Sequence, residues 1–162
     1  MLKFLRTVMS LALLLILCSC RSKLPYEGKS VTELEDMLKS SDPKVQAQGA
    51  YGCIEDGSKA RQMVPALMDA LKSKDALVRE LAARALGSVG PDAAQAVPVL
   101  KTALGDLNWK VRREAAQALG KLGTSARSAV PTLVKLTTDT NKWVRKAAEQ
   151  ALKDIQPQGA RQ

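Results

Sequence analysis

A repeat of 33 residues is the feature that most constrains the fold of this chain. Three series of identical residues keep this spacing, each at the same place in its copy: Val45, Val78, Val111 and Val144; Pro65, Pro98 and Pro131; Gly57, Gly90 and Gly123. Self-similarity at a fixed period indicates an array of stacked units rather than one globular core. The sequence must therefore be interpreted one unit at a time.

The second copy, residues 75–104, shows the unit most clearly. Asp75 is a candidate N-cap, because its side-chain oxygen can accept hydrogen bonds from free amides in a first helical turn. Gly87 and Gly90 predict the end of that helix, with Gly90 at positive φ. Pro98 suits the first turn of a second helix, where its missing N–H has no cost. An apolar stripe at helical spacing marks the first helix: Val78, Leu81, Ala82, Ala85, Leu86 and Val89.

Neither helix of a pair can bury its apolar stripe alone, so the stacking of neighbouring pairs must bury it. A lone helix begins near Ser30, before the first copy, and the last copy holds only one helix. The sequence therefore predicts an all-α solenoid of about seven helices over residues 31–157, followed by a disordered tail at 158–162. Cys53 falls where later copies have leucine, which predicts a buried, unpaired thiol.

The consensus of the copies is D-x-x-V-R-x-x-A-A-x-A-L-G-x-x-G followed by A-V-P-x-L. The signature residues of ankyrin and tetratricopeptide repeats are absent. Over residues 42–155 the pattern resembles the short bacterial HEAT repeat of the phycobilisome-lyase HEAT-like kind. This resemblance implies an α-solenoid, most members of which are protein-binding scaffolds.

The first 20 residues differ from the repeats, with a short cationic start followed by a short apolar run. Lys3 and Arg6 precede an apolar run of 14 residues at 7–20, which is shorter than the roughly 20 needed to span a bilayer. Residues 17–20, Leu-Cys-Ser-Cys, resemble the lipobox of a bacterial lipoprotein export signal, and this implies cleavage after residue 19 and lipid on Cys20. Residues 20–30 would then be a flexible tether, and Arg21, by resemblance, favours the periplasmic face of the outer membrane. An ordinary signal peptide without lipid is the alternative.

The composition gives little support for catalysis. The chain has no His, which removes the usual general base and the usual zinc ligand. We therefore predict no catalytic residue, no metal and no cofactor. Lys and Arg total 25 against 16 Asp and Glu, a charge of +9, which favours acidic partners or anionic surfaces. Export would separate the protein from nucleic acid, so none is expected as a partner.

Arginines recur directly after the repeated valines and could form a ladder. Each lies four residues after an Asp or Asn; the set is Asp75, Arg79, Asn108, Arg112, Asn141 and Arg145. Such a row could bind an anionic ligand, or each Arg could bond the Asp or Asn of its own or a neighbouring unit. The resemblance to HEAT repeats favours this second, structural role.

Two tryptophans stand where successive first helices begin, among cationic residues. Aromatic side chains beside Arg are frequent at binding hot spots. The set is Trp109, Lys110, Arg113, Lys142, Trp143 and Lys146. The sequence predicts a monomeric, membrane-tethered, non-enzymatic scaffold that binds an acidic protein of the cell envelope through this set. The alternatives are a binder of anionic envelope polymer or lipid headgroups through the same basic face, and a pigment binder or enzyme of the phycobilisome-lyase kind.

Overall fold

The computed structural model describes residues 24–156, in which all regular structure is helical. The predicted signal segment 1–19, Cys20 and the tail 158–162 lie outside these residues. None of the described helices is long and apolar enough to cross a membrane. The helices are α1 (Val31–Lys39), α2 (Pro43–Glu55), α3 (Gly57–Gln62), α4 (Val64–Ala70), α5 (Ala76–Val89), α6 (Val97–Ala103), α7 (Trp109–Lys121), α8 (Val130–Leu136) and α9 (Lys142–Ile155), with 3₁₀ segments at Gly90–Ala96 and Gly123–Ala129.

The helices stack in chain order, as a solenoid requires. The four long helices α2, α5, α7 and α9 lie side by side and form one layer. Each of them also packs against the short helix that precedes it, so α1 contacts α2, α4 contacts α5, α6 contacts α7 and α8 contacts α9. The short helices form the second layer. The predicted all-α solenoid is confirmed.

Polar side chains start the long helices at the predicted places. Asp75 accepts hydrogen bonds from the backbone amides of Leu77 and Val78, at 2.8 and 3.2 Å. The same role falls to Asp42 before α2, Asn108 before α7 and Asn141 before α9. Ser30 begins α1 with a capping box, in which Glu33 bonds back to the Ser30 amide at 2.9 Å. Each cap satisfies amides that have no partner within the helix.

The second helix of each unit is broken, and this feature was not predicted. In the second and third units a 3₁₀ segment precedes the α-helix, and in the first unit α3 and α4 take its place. Gly90 and Gly123 begin the two 3₁₀ segments with φ of 71° and 61°, which confirms the positive φ predicted at Gly90. Counting each broken helix once, residues 24–156 contain eight helical segments, one more than the approximate prediction.

Gly87 does not end its helix, contrary to the sequence interpretation. It is buried inside α5 at the contact with α7, where a Cβ atom would lie 3.0 Å from the Cα of Ala118. Gly120 has the same place in α7, where a Cβ atom would lie 3.0 Å from the Cα of Ala151 in α9. The glycine is therefore required by the close approach of two helices rather than by a helix terminus.

The core is one continuous strip between the two layers. Cys53 is fully buried with no disulfide, as predicted. Burial, followed by the charge of Asp56, raises the pKa of its thiol to about 11, so the thiolate is scarce at neutral pH. In the second copy, every predicted stripe position is buried except the part-exposed Val89. The equivalent apolar positions in the third copy are also buried, namely Val111, Ala115, Ala118, Leu119 and Leu122; in its second helix Leu133 is buried and Val130 is part-exposed.

Candidate functional site

The arginine ladder joins consecutive units through carboxylates that the sequence analysis did not identify. Arg79 donates from Nε and Nη2 to the two carboxylate oxygens of Asp106, at 2.7 and 2.9 Å. Arg112 makes the same two bonds to Asp139, at 2.8 and 2.9 Å. We call each of these bidentate contacts a rung. The fork of the guanidinium matches the two oxygens, which fixes geometry as well as charge.

The predicted partners of the arginines serve as helix caps instead. Asp75, Asn108 and Asn141 accept from backbone amides two residues ahead, and within residues 24–156 none of them accepts a hydrogen bond from an arginine of the ladder. The correct carboxylate lies two residues before the cap: Asp106 accepts from the Asn108 amide at 2.8 Å and also holds Arg79. One carboxylate thus fixes both the loop entry and the rung.

Electrostatics within a rung favour the charged carboxylate. Burial would raise the pKa of Asp106, but hydrogen bonds from Arg79 and from the Asn108 amide outweigh it, and the pKa lies below its usual value. At Asp139 the hydrogen bond from Arg112 is the largest influence and again lowers the pKa. Asp106 in turn raises the pKa of Arg79. Both charges of a rung persist at neutral pH.

A signal for the rungs does exist in the sequence. Arg79 and Asp106 are 27 residues apart, as are Arg112 and Asp139. The interface between the first and second units, which we call the first interface, has a neutral pair at the same spacing. There the Ser73 hydroxyl donates to the side-chain oxygen of Gln46 at 3.2 Å. A search for polar pairs repeated at this spacing would have found the ladder.

Arg145 lacks a rung among residues 24–156. Its Nη1 donates to the backbone oxygens of Asp139 and Thr140, at 2.7 and 3.1 Å. Arg112 makes the equivalent bonds to the backbone oxygens of Asp106 and Leu107. Arg79 donates in the same way to the backbone oxygens of Ser73 and Lys74, so all three arginines are held against their own loops.

The structure brings together most of the predicted Trp and cation set, which we call the Trp109–Trp143 edge. The Arg113 guanidinium carbon lies 5.3 Å from the centre of the Trp109 ring, which is a cation–π distance. Arg113 also donates from Nε to the buried carboxylate of Glu114 at 3.0 Å, and Glu80 lies 3.9 Å away. Stacking and ion pairing therefore hold Arg113 in one place.

Trp143 is the exposed aromatic of this edge. Its side chain keeps 49% of its surface accessible, and the Lys142 ammonium lies 5.0 Å from the ring centre. The ring borders a cavity of about 400 Å³ between α7 and α9. The cavity is lined by Arg113, Gln117, Trp143, Lys146, Ala147 and Gln150.

The two tryptophans are not equivalent, although the sequence suggested a matched pair. Trp109 is the first residue of α7, whereas Trp143 is the second residue of α9. One residue is a rotation of about 100° around a helix, so the rings point in different directions. Lys110, the residue equivalent to Trp143, is exposed and does not line the cavity.

A second hollow, of about 490 Å³, escaped the sequence analysis. It lies beside the rung of Arg79 and Asp106 and includes Val99, Thr102 and the fully exposed Leu107. Nothing in the periodic pattern distinguishes these positions, because they lie outside the apolar stripe. Across residues 24–156, no group of three or more His, Cys, Asp or Glu is placed to hold a metal ion.

Residues 31–106 and 97–162 each match the family model for HEAT repeats. The chain belongs to the HEAT-repeat family. This confirms the family to which the repeat consensus pointed. No curated protein matches the chain significantly.

Solved structures similar to this HEAT-repeat protein include natural and engineered arrays. A crystal structure of an engineered protein shares 32% identity over 77% of this chain and 62% of its own, with a TM-score of 0.64. Human deoxyhypusine hydroxylase shares 28% over 80% of this chain and 44% of its own, with a TM-score of 0.62. The complex of CpcE and CpcF of phycocyanin lyase from Nostoc sp. PCC7120 shares 25% identity over 83% of this chain and 57% of its own, with a TM-score of 0.63. The HEAT-repeat chain thus spans less than two thirds of each of these structures.

Proposed function

We propose that this HEAT-repeat protein is a non-enzymatic scaffold of the bacterial cell envelope, held at a membrane by lipid on Cys20. In this proposal it binds an acidic protein through the Trp109–Trp143 edge. The fold supports an interaction role, since stacked helices present long continuous surfaces and the similar CpcE and CpcF form a complex. The observation that carries the proposal is the cavity between α7 and α9, with the exposed Trp143 ring at its border.

Trp143 has the properties of an anchor at an interface. An indole that stays half exposed leaves apolar surface in water, and a partner that covers it gains the free energy of that burial. The cavity beside the ring can admit a partner side chain. Arg113 is already fixed on Trp109, so binding would not have to order it, which lowers the entropic cost.

The charge around the edge supports an acidic partner. Lys142 and Lys146 are exposed on α9 beside the ring. Residues 105–162 carry 11 Lys and Arg against 5 Asp and Glu, an excess that attracts anionic surfaces. The tryptophan supplies affinity and the lysines favour the correct class of partner.

The decisive experiment replaces Trp143 with Ala. A photo-crosslinking amino acid at position 150, in the cavity wall, would capture the partner in cells, and mass spectrometry would identify it. With the identified partner, Trp143→Ala should weaken binding about tenfold or more, as the loss of a hot-spot aromatic does. Calorimetry or interferometry would measure the change in Kd.

Leu77→Ala is the matched control, because Leu77 is the second residue of α5, as Trp143 is of α9, and it is 53% exposed. It should leave the Kd unchanged. Equal Kd values for the wild-type protein and Trp143→Ala would remove the edge from consideration.

Two alternatives are separated by further measurements. If the basic face instead binds an anionic polymer or lipid headgroups, binding should collapse steeply as salt rises and should tolerate Trp143→Ala. The similarity to phycocyanin lyase subunits leaves a pigment binder or enzyme as the other alternative. A change in the visible absorbance of a tetrapyrrole pigment on mixing with the protein would favour it.

A further inference from the structure

We propose that Arg145 is an unfilled rung that binds an aspartate of a partner protein at the C-terminal end of the array. This inference goes beyond the Trp109–Trp143 edge and does not depend on it. Two filled rungs in the same molecule serve as its template. In both of them, Nε and Nη2 of the arginine hold the two oxygens of one aspartate.

Arg145 is held in the orientation that the filled rungs require. In Arg79, Nη1 donates to the backbone oxygens of Ser73 and Lys74, both at 2.9 Å. Arg145 uses the same atom on the same two loop positions, Asp139 and Thr140. Its Nε and Nη2 therefore point where the next aspartate would lie, and no acceptor within residues 24–156 meets them. The side chain is only part-exposed, so the site is preorganised and partly desolvated.

A further repeat of the same kind cannot supply that aspartate. Gly87 and Gly120 let the following long helix approach closely. The equivalent residue of α9, 33 residues after Gly120, is the exposed Lys153. Ala83 and Ala116 are fully buried, whereas their counterpart in α9 is the exposed Glu149. The outer face of α9 is therefore built for solvent or for a differently shaped partner.

A second copy of this chain that continued the array cannot supply the aspartate either. Continuing the array from one molecule into the next would bring the loop after α1 against Arg145. In that loop Ser40 has the position that Asp106 and Asp139 have in the later loops. Its hydroxyl accepts from the Asp42 amide at 3.2 Å, as each of those aspartates accepts from the amide two residues ahead. Tyr26 also covers the α2 face that such stacking would need, and packs 5.1 Å from the Tyr51 ring. The occupant is therefore a different protein that presents an Asp in a helix-entry loop.

The cationic surroundings agree with this occupant. Lys142 lies one turn before Arg145 on α9, and Lys146 follows it directly. Both are exposed and would attract a carboxylate toward the arginine. The fork then distinguishes a carboxylate from an amide, because an amide offers only one acceptor oxygen.

NMR of the arginine Nε–H groups tests the proposal directly on the purified protein. The probe is a capped peptide with the sequence of residues 103–110, which contains the natural rung residue Asp106. The Arg145 signal should shift saturably, while Arg79 and Arg112, whose rungs are filled, should not. The same peptide with Asp106→Asn should bind about tenfold more weakly or worse, since each tenfold is about 1.4 kcal/mol.

Two variants keep the result interpretable. Arg145→Lys retains the charge without the fork, and it should weaken the peptide response of the backbone amides of residues 139–146 about tenfold. Arg84→Gln, on the exposed face of α5, should leave that response unchanged. Circular dichroism would establish that both variants are folded.

Four results would overturn the proposal. One is an equal response of Arg145 to the Asp and Asn peptides. Another is no saturable shift at Arg145, or a shift already at the filled-rung value in the free protein, which would mean that residues 157–162 occupy the fork. The last is self-association that Arg145→Lys abolishes, which would make a second copy the occupant.

Discussion

At the scale of single residues, one aspartate in each rung has three tasks. Asp139 holds the guanidinium of Arg112 and accepts from the Asn141 amide, and its backbone oxygen accepts from Arg145. The side chains of the pair are only 16% and 11% exposed, so solvent screens this pair less than a surface pair. Its loss should therefore be measurable in the stability of the whole array.

Asp139→Asn should lower the free energy of unfolding by about 1.5–3 kcal/mol near neutral pH, the usual range for a hydrogen bond to a charged group. The folded pKa of Asp139 lies below the ordinary 3.8, so native Asp139 binds protons less readily than the unfolded chain does. The contribution is complete above about pH 3.8 and disappears as the pH falls through the folded pKa. The difference in unfolding free energy between the wild type and the variant should therefore become smaller in acid. Urea unfolding at neutral pH and at a pH below 3.8 would measure this difference.

Asp69→Asn is the control for this experiment. Asp69 pairs with Lys72 at 2.8 Å, but both side chains are mostly exposed. Such pairs contribute little, so stability should change by less than about 0.5 kcal/mol at either pH. A constant gap between wild type and Asp139→Asn across the acid range would show that the rung carboxylate is not the titrating group.

Local rules predicted the residues that act within one unit. The caps Asp75, Asn108 and Asn141 follow from the need of first-turn amides for acceptors, which any helix start shares. Asp106 and Asp139 were missed because their partners belong to another unit, and a loop aspartate has many local uses. Trp143 lies one residue further into its helix than Trp109 does, and whether that position is exposed depends on how the neighbouring helices pack.

At the scale of helices, the interface between successive long helices carries the fold. α7 lies between α5 and α9 and contacts both along its length. The contacts use small residues, with Ala118 against Gly87 and Ala151 against Gly120. Leucines such as Leu86 and Leu119 then fill the space between the layers.

Leu119→Ala should lower the free energy of unfolding by about 2–5 kcal/mol, because Leu119 is fully buried and the array can close only part of the cavity. Chemical denaturation followed by circular dichroism would measure this. Leu77→Ala, at a half-exposed leucine, should change stability by less than about 0.5 kcal/mol. Similar losses for the two variants would contradict the assignment of Leu119 to the core.

The period predicted the layer arrangement, but not the shape of each second helix. The positive φ of Gly90 was predicted correctly, whereas the 3₁₀ segments that begin at Gly90 and Gly123 have no clear periodic pattern. Gly87 was assigned to a helix end because glycine is common there. Its actual role, close packing of two helices, is a property of the neighbour and cannot be inferred from one helix.

At the scale of the whole molecule, the two ends of the array differ in chemistry. The N-terminal end has a hollow of about 450 Å³ whose lining includes Glu27, Glu55 and Asp56. The C-terminal end presents the lysines of α9 and Arg145. A scaffold tethered at its first end would leave the basic end free for a partner.

Membrane attachment is tested by Cys20→Ala. With the lipidation proposal, wild-type protein should incorporate labelled fatty acid and sediment with membranes, because several acyl chains anchor a protein durably. The variant should lose the label and appear in the soluble fraction. Retained labelling of the variant would refute Cys20 as the modified residue.

The neutral contact between Ser73 and Gln46 makes the first interface differ from the next two in its response to acid. Acid protonates Asp106 and Asp139 and so loosens the second and third interfaces, while the first interface contains no titrating side chain in its equivalent pair. Falling pH should therefore weaken the second and third interfaces more than the first. The repeat nearest the proposed tether should be the least sensitive to acid.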